Sequence, residues 1–532
     1  MQTVNCPGCG AEVSFRSSAA VMAVCEYCHS TLLREADQVR DIGKMSAVLE
    51  DYTPLQLNTS GTWQGQGFTL VGRIQLRYDA GLWNEWYLLF DDGTDGWLAD
   101  ASAQYMLTRR VADDDAKKAS VGRAPTFEHL RPGEPMYYGN HRFEASDVRT
   151  ARCTAGEGEL PFKVGAGWTA QVADFRAADQ FLTLDYADGY PPAFYTGHAV
   201  TLPQLKAQFL RETDAISSTA DRYRGRAVPL SCPNCGSPIN WHPGVANFVV
   251  CPSCHSEVDC TTSTAIVLEK HAEIEALQTS LTPGEVGNID GKPYTVLGLV
   301  QCIDDDDEES STWVEYLLFN EQAGLLWLVE QDAGWDRVQV LDVWPDVSKP
   351  GFVTLAGQRY DKGFHYRSTV LYAAGTFNWR VQAGDVTLLT EFGPPVRRLT
   401  REASPTEIVW TRSTTVSRMQ LSQWFKGNKA LAAVKSQRDG KRAVPTSDMA
   451  YCRKTAWGVV IVMWLLNGPM ALFGGGHFTG LVIGTLLLWL PLWVVQYVND
   501  QDTNKNDRRG NGGGDGGDSD GGDGGGDGGG GD

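Results

Sequence analysis

Along most of the chain, short runs rich in Val, Leu, Tyr, Phe and Trp alternate with clusters of Gly, Asp and Asn. This rhythm predicts antiparallel strands joined by tight turns. It is also written twice. Gly65-Gln66-Gly67-Phe68-Thr69-Leu70-Val71-Gly72 corresponds to Gly291-Lys292-Pro293-Tyr294-Thr295-Val296-Leu297-Gly298, 226 positions later. Tyr87-Leu88-Leu89-Phe90 then matches Tyr316-Leu317-Leu318-Phe319, and Trp97-Leu98 matches Trp327-Leu328. Gly158-Glu159-Leu160-Pro161-Phe162 matches Gly375-Thr376-Phe377-Asn378-Trp379, with Val164 and Gly167 answering to Val381 and Gly384. The growing offset places extra residues of the second copy in the acidic run 304–309.

Two regions depart from the strand rhythm. Ile266, Leu268, Ile274, Leu277 and Leu281 recur at helical spacing, so a helical connector is expected over 262–283, with a weaker pattern of the same kind near 33–52. The runs 456–473 and 478–498 carry no charged side chain. At about 1.5 Å per residue they are long enough to cross a hydrocarbon core of about 30 Å as a two-helix hairpin turning at Gly474-Gly475-Gly476-His477. Pro469 and Pro491 would kink these helices.

Eight cysteines change the picture. Cys6-x2-Cys9 and Cys25-x2-Cys28 are fifteen residues apart, and Cys232-x2-Cys235 and Cys251-x2-Cys254 repeat that spacing. Two tight pairs of thiolates suit a tetrahedral zinc ion, so two structural zinc ribbons are expected, although iron has the same ligand set. Pro7 and Pro233 preset the first turns, and Gly10 and Gly236 let the backbone fold round the metal. His29, His255 and His242 are not needed as ligands, and Cys153, Cys260, Cys302 and Cys452 are ordinary free thiols. Residues 1–20 lack a basic start followed by an apolar run, so a reducing compartment is expected.

Charge excludes one class of partner and orients the chain. The 532 residues carry a formal net charge of −19, including six aspartates in the glycine-rich tail 510–532. Such a balance argues against nucleic acid. The segment 426–455 is the exception, with Lys426, Lys429, Lys435, Arg438, Lys441, Arg442, Arg453 and Lys454, and after the hairpin come Lys505, Arg508 and Arg509. The positive-inside rule then places both the large N-terminal region and the tail in the cytosol, with the stretch 426–454 drawn to anionic headgroups of the lipid bilayer. The tail is read as a flexible anionic chain.

The fold class that follows is mainly β and multidomain. The expected order is a zinc ribbon (1–34), a connector (35–54), a β module (55–108), a linker (109–129) and a second β module (130–210). After a linker (211–230) come the second ribbon (231–261), the helical connector (262–283) and two further β modules (284–342 and 343–425). The basic juxtamembrane segment (426–455), the two transmembrane helices (456–473 and 478–498) and the tail (499–532) complete the chain. The modules are expected to be small and barrel-like, with Trp63, Trp83, Trp86 and Trp97 filling a core and Asp91, Asp92 and Asp95 forming a hairpin turn.

A Cys-Pro-x-Cys-Gly ribbon, a Gly-x-x-Phe/Tyr-x-x-x-Gly strand, a Tyr-Leu-Leu-Phe strand and a Gly-Glu-Leu-Pro-Phe turn, in that order, resemble an uncharacterised bacterial family, Domain of Unknown Function four-one-seven-eight, over residues 1–425. The resemblance implies a membrane-associated protein whose gene lies beside genes for polyamine synthesis and envelope stress; with the two spans and their flanking charges, the expected location is the bacterial inner membrane. It implies no activity. Asn378 stands where the first copy has Pro161.

No Walker loop, His-Glu-x-x-His or nucleophile elbow is present, so no catalytic residue and no organic cofactor is expected. The function expected is that of a non-catalytic, membrane-anchored zinc-ribbon adaptor with a protein partner. The alternatives are a sensor of polyamine, metal or membrane state, with the acidic loop 304–309 or the tail as a dock for polycations, and an enzyme using carboxylates of the β modules such as Asp174 and Asp185.

Overall fold

Alternating apolar and polar residues with turn-forming glycines produce, in each copy, one antiparallel sheet of 13 strands. A computed structural model describes residues 2–433 apart from short stretches, the longest being 213–229, 240–247, 261–265 and 270–278. In the first copy eight strands close on themselves: Gln66–Tyr78, Gly81–Phe90, Asp95–Ala101, Gln104–Arg110, Ala193–Val200, Gln180–Asp185, Thr169–Ala177 and His141–Leu160. The seam is the pairing of the last with the first, from Cys153 opposite Leu76 to Gly158 opposite Gly72. The second copy closes in the same order, with its seam between Lys292–Asp304 and Gln358–Phe377. The two modules expected in each copy are therefore halves of a single barrel. Local rhythm finds strands but is blind to pairings between residues 80 or more positions apart.

Strand register assigns every side chain to a face. Facing inward in the first barrel are Trp83, Glu85 and Tyr87, next to Trp97 and Ala99, and across the ring Asp174, Thr183 and Asp185. Facing outward are Trp86 and Leu88, which pack with Phe68, Leu70, Leu98 and Leu107 under Leu55 and Leu205. A second outward patch, with Phe175, Leu182 and Phe194, lies under Ala116, Phe127 and Leu130. The polar segment 109–129 is thus a cover, carrying the helix Asp113–Ala119 and the turn Phe127–His129, rather than a free linker. Each large side chain buried there contributes about 1.5–3 kcal/mol.

Register also corrects the repeat. Gly72 pairs with Tyr87 and Gly298 with Leu317, so the copies correspond at an offset of 230 on this strand. Trp83-x-Glu85-Trp86 answers to Trp313-x-Glu315-Tyr316, one residue away from the shared string Tyr-Leu-Leu-Phe. The four residues gained sit in the loop between Asp304 and Ser311, where the first copy turns between Tyr78 and Gly81. In that loop Asp306 pairs with Arg367 at 3.1 Å, and 307–310 lie outside the described residues.

The expected helical connectors are corrected where they are described. Ser30–Glu35 and Gln38–Lys44 form a strand pair, and Ile266–Glu269 is a strand paired with Glu257–Asp259. Short apolar runs do not distinguish strand from helix by spacing, and a sheet edge was available to pair with them. Among the described residues no helix is long and apolar enough to cross a membrane. The runs 456–473 and 478–498, Cys452, His242 and the tail lie outside the described residues.

Candidate metal centres and barrel interiors

Each four-cysteine set converges. Cys6 and Cys28 sulfurs are 3.6 Å apart and Cys9 and Cys25 3.7 Å; in the second set Cys232 and Cys254 are 3.6 Å apart and Cys235 and Cys251 3.8 Å. Four sulfurs at about 2.3 Å from a tetrahedral zinc lie about 3.8 Å from one another, whereas a disulfide brings sulfurs to about 2.05 Å. All four ligand atoms of each set lie within 4.8 Å of one another, so both sets fit a metal ion.

The turns that hold them follow from backbone chemistry. Gly10 and Gly236 take left-handed conformations and donate to the carbonyls of Cys6 and Cys232 at 2.8 Å. His29 and His255 take the same left-handed position in the second turns, with φ of 58° and 54°, and donate backbone N–H to Cys25 and Cys251. The His255 ring packs edge-on against Tyr372, 5.3 Å away, which docks the second ribbon on its barrel. Hydrogen bonding from Ser30 draws the Cys28 thiol down to about 6, which favours the thiolate that a metal needs. Cys153, Cys260 and Cys302 are buried free thiols outside the two sets.

Sequence reasoning named Asp174 and Asp185 without a spacing argument, and the structure supplies one. Both point into the first barrel together with Glu85, which accepts from the Trp83 indole at 2.9 Å, while Asp174 accepts from Thr183 at 2.6 Å. By register the second barrel carries Glu315, Glu391, Thr400 and Glu402 at the corresponding inward positions. There the Trp313 indole donates to Glu315 at 2.7 Å, and the Thr411 hydroxyl donates to Glu402 at 2.8 Å. Burial pushes the Glu85 carboxyl up to about 8 and Glu402 up to about 7, and it also raises Asp174, Asp185 and Glu315. The signal for these residues was the Trp-x-Glu string present in both copies, hidden by the one-residue slip. Their partners come from strands about 90 positions away.

The remaining expectations resolve locally. Trp83 and Trp86 are buried on opposite faces of one strand, and Trp97 stacks on Phe162, 5.8 Å away. Asp92 caps its hairpin by accepting from the Thr94 backbone at 2.9 Å, and Asp95 accepts from the Tyr87 hydroxyl at 2.7 Å.

The model of the family described as a domain of unknown function (DUF4178) matches residues 56–202 and 282–418. These two segments are the barrels, and both ribbons fall outside them, so the family likeness is narrower than the order of motifs over 1–425 implied. No curated protein and no solved structure matches the chain. With two matched segments covering more than half of its length and folding into two barrels of the same strand order, the chain belongs to the DUF4178 family.

Proposed function

We infer that the chain is a non-catalytic binding scaffold in which two structural zinc ions fix two barrels, anchored as a two-pass protein of the bacterial inner membrane with both the barrels and the tail in the cytoplasm. The observation that carries the non-catalytic reading is the closure of the metal sites: four thiolates fill a tetrahedral zinc and leave no position for a substrate or an activated water. Anchoring draws on the two apolar runs and on the basic stretch 426–454, which suits anionic headgroups and leaves the barrels facing a protein partner. Full-length protein purified in detergent under reducing conditions is expected to hold about two zinc ions, and Cys9→Ser or Cys235→Ser about one each. Metal-free protein from that preparation would end the reading, as would zinc-dependent turnover of any substrate.

A second reading, a sensor of polyamine, metal or membrane state, draws on the three carboxylates repeated inside both barrels beside a tryptophan. That lining suits an organic cation better than a reaction needing a nucleophile. Addition of spermidine should then raise the unfolding temperature of the wild type and not of Glu85→Gln.

A further inference from the structure

In both copies the metal site adjoins the barrel seam. A single row of paired residues in the first copy runs Val24, Gly158, Gly72, Tyr87, Trp97, and Val24 is followed directly by the metal ligand Cys25. In the second copy the row is Val250, Gly375, Gly298, Leu317, Trp327, and Val250 is followed by Cys251. The glycines are required for this approach. A Cβ on Gly158 would lie 2.3 Å from the Val71 carbonyl oxygen, and one on Gly375 would lie 2.4 Å from that of Leu297. The glycine pairs themselves hold each seam by backbone alone, with one side-chain contact across the seam beside them: Arg73 to Glu157 at 3.4 Å in the first copy, and the Thr376 hydroxyl donating to the Leu297 carbonyl at 3.4 Å in the second.

The ribbon adds further contacts at the strand end. In the first copy the backbone N–H groups of Arg16 and Ser17 donate to the Glu159 carboxylate at 2.7 and 2.9 Å, and the Ser17 hydroxyl lies 3.3 Å from that of Tyr87 inside the barrel. In the second copy the buried Glu257 of the ribbon accepts from Arg380 at 2.6 Å and Gln382 at 3.0 Å, just past the end of the seam strand. A ribbon of a few short strands has too little core to keep this geometry without its metal. Once it is lost, Glu159 is a buried carboxylate without its two donors, a state that strongly disfavours the closed strand end.

We propose that the metal at each four-cysteine site latches the seam of its own barrel, so that loss of the metal opens that seam while the opposite wall stays folded. The proposal rests on metal occupancy of the two sites. It makes each barrel interior accessible according to the state of its own ribbon.

The chain carries its own reporters. Cys153 lies on the first seam opposite Leu76, and Cys302 lies on the second opposite Val370; each is 4% exposed. Full-length protein in detergent is treated with N-ethylmaleimide before and after removal of the metal by a chelator, and the labelled cysteines are mapped by mass spectrometry alongside metal analysis. Labelling of Cys153 and Cys302 is expected to rise at least tenfold with metal loss, while amide exchange over 180–185, on the far wall, stays slow. Cys28→Ser should release Cys153 alone and leave Cys302 protected as the control within the molecule. Glu159→Gln should raise Cys153 labelling with the metal still bound. Ribbon cysteines that label while Cys153 and Cys302 stay protected would overturn the latch, and so would far-wall exchange that rises with theirs, since the barrel would then unfold as a whole. Protein that contains no metal from the outset would instead remove the metal reading beneath it.

Discussion

The two barrels share strand order, seam and inward carboxylates, yet they bury opposite chemistry at one matched outer position. In the first copy Arg73, 4% exposed, lies 4.8 Å over Trp86 and bonds Asp51 and Asn84. In the second, Leu299 takes that place, and Tyr316 stacks on Trp335 at 5.5 Å in a continuous apolar core. A charge network and an aromatic stack thus close the same gap. The fold requires the gap to be filled and does not require the ion pair, because the desolvation of two buried charges offsets most of their attraction.

The sharpest way to break this comparison is to exchange one residue. Arg73→Leu removes the nearer guanidinium from the buried Asp51, leaving only that of Arg211 at 3.8 Å, and should destabilise the first copy by about 3–5 kcal/mol, read as a separate shift in denaturant unfolding. Adding Asp51→Leu should return most of that loss. If Arg73→Leu alone is neutral, the network is dispensable and the two copies are closer than they look.

A smaller effect tests what the copies have in common. Gly158→Ala and Gly375→Ala each force a side chain into the left-handed region and against a carbonyl, and each should cost about 3 kcal/mol. Gly10→Ala, with the same backbone sign and open space around it, should cost only about 1 kcal/mol. Equal costs at all three positions would mean that conformation alone, and not the close approach at the seam, explains the glycines.

A third effect concerns pH. Glu85 titrates near 4.5 when unfolded and about 8 in the barrel, so the folded state holds the proton more tightly across that interval. Its stabilisation is complete below the unfolded value and is lost as pH rises through about 8. Glu402 behaves in the same sense with a lower upper limit, about 7. Thermal unfolding between about pH 6 and 8.5 should therefore show stability falling with pH, by on the order of 2 kcal/mol, and Glu85→Gln should flatten the upper part of that slope. A slope unchanged by the substitution would place the titrating group elsewhere.

How much of this could be read from the chain depends on the distance between partners. The cysteine sets were legible because each site is built from two local turns, and the strands were legible from local alternation. Barrel closure was not, since nothing near Gly72 announces Gly158. The register of the repeat misled for a physical reason: Tyr-Leu-Leu-Phe suits either face of a strand with packing on both sides, whereas Trp-x-Glu places a carboxylate that only one face accommodates. The helical reading of 262–283 failed at Ile266–Glu269 because an apolar run takes the structure its neighbour offers, and the neighbour was the edge strand Glu257–Asp259.

The strand His141–Leu160 ends beyond its barrel partners, at residues whose remaining hydrogen-bonding edge is taken by Met22–Val24 of the ribbon. A fragment cut to the matched limits 56–202 would keep every barrel strand and lose that cover. Gly158–Leu160 would then present bare N–H and C=O groups on one edge, a template for pairing with another chain. The boundary drawn by family likeness therefore cuts through a sheet: a unit that keeps the end of His141–Leu160 covered starts at the first cysteine turn.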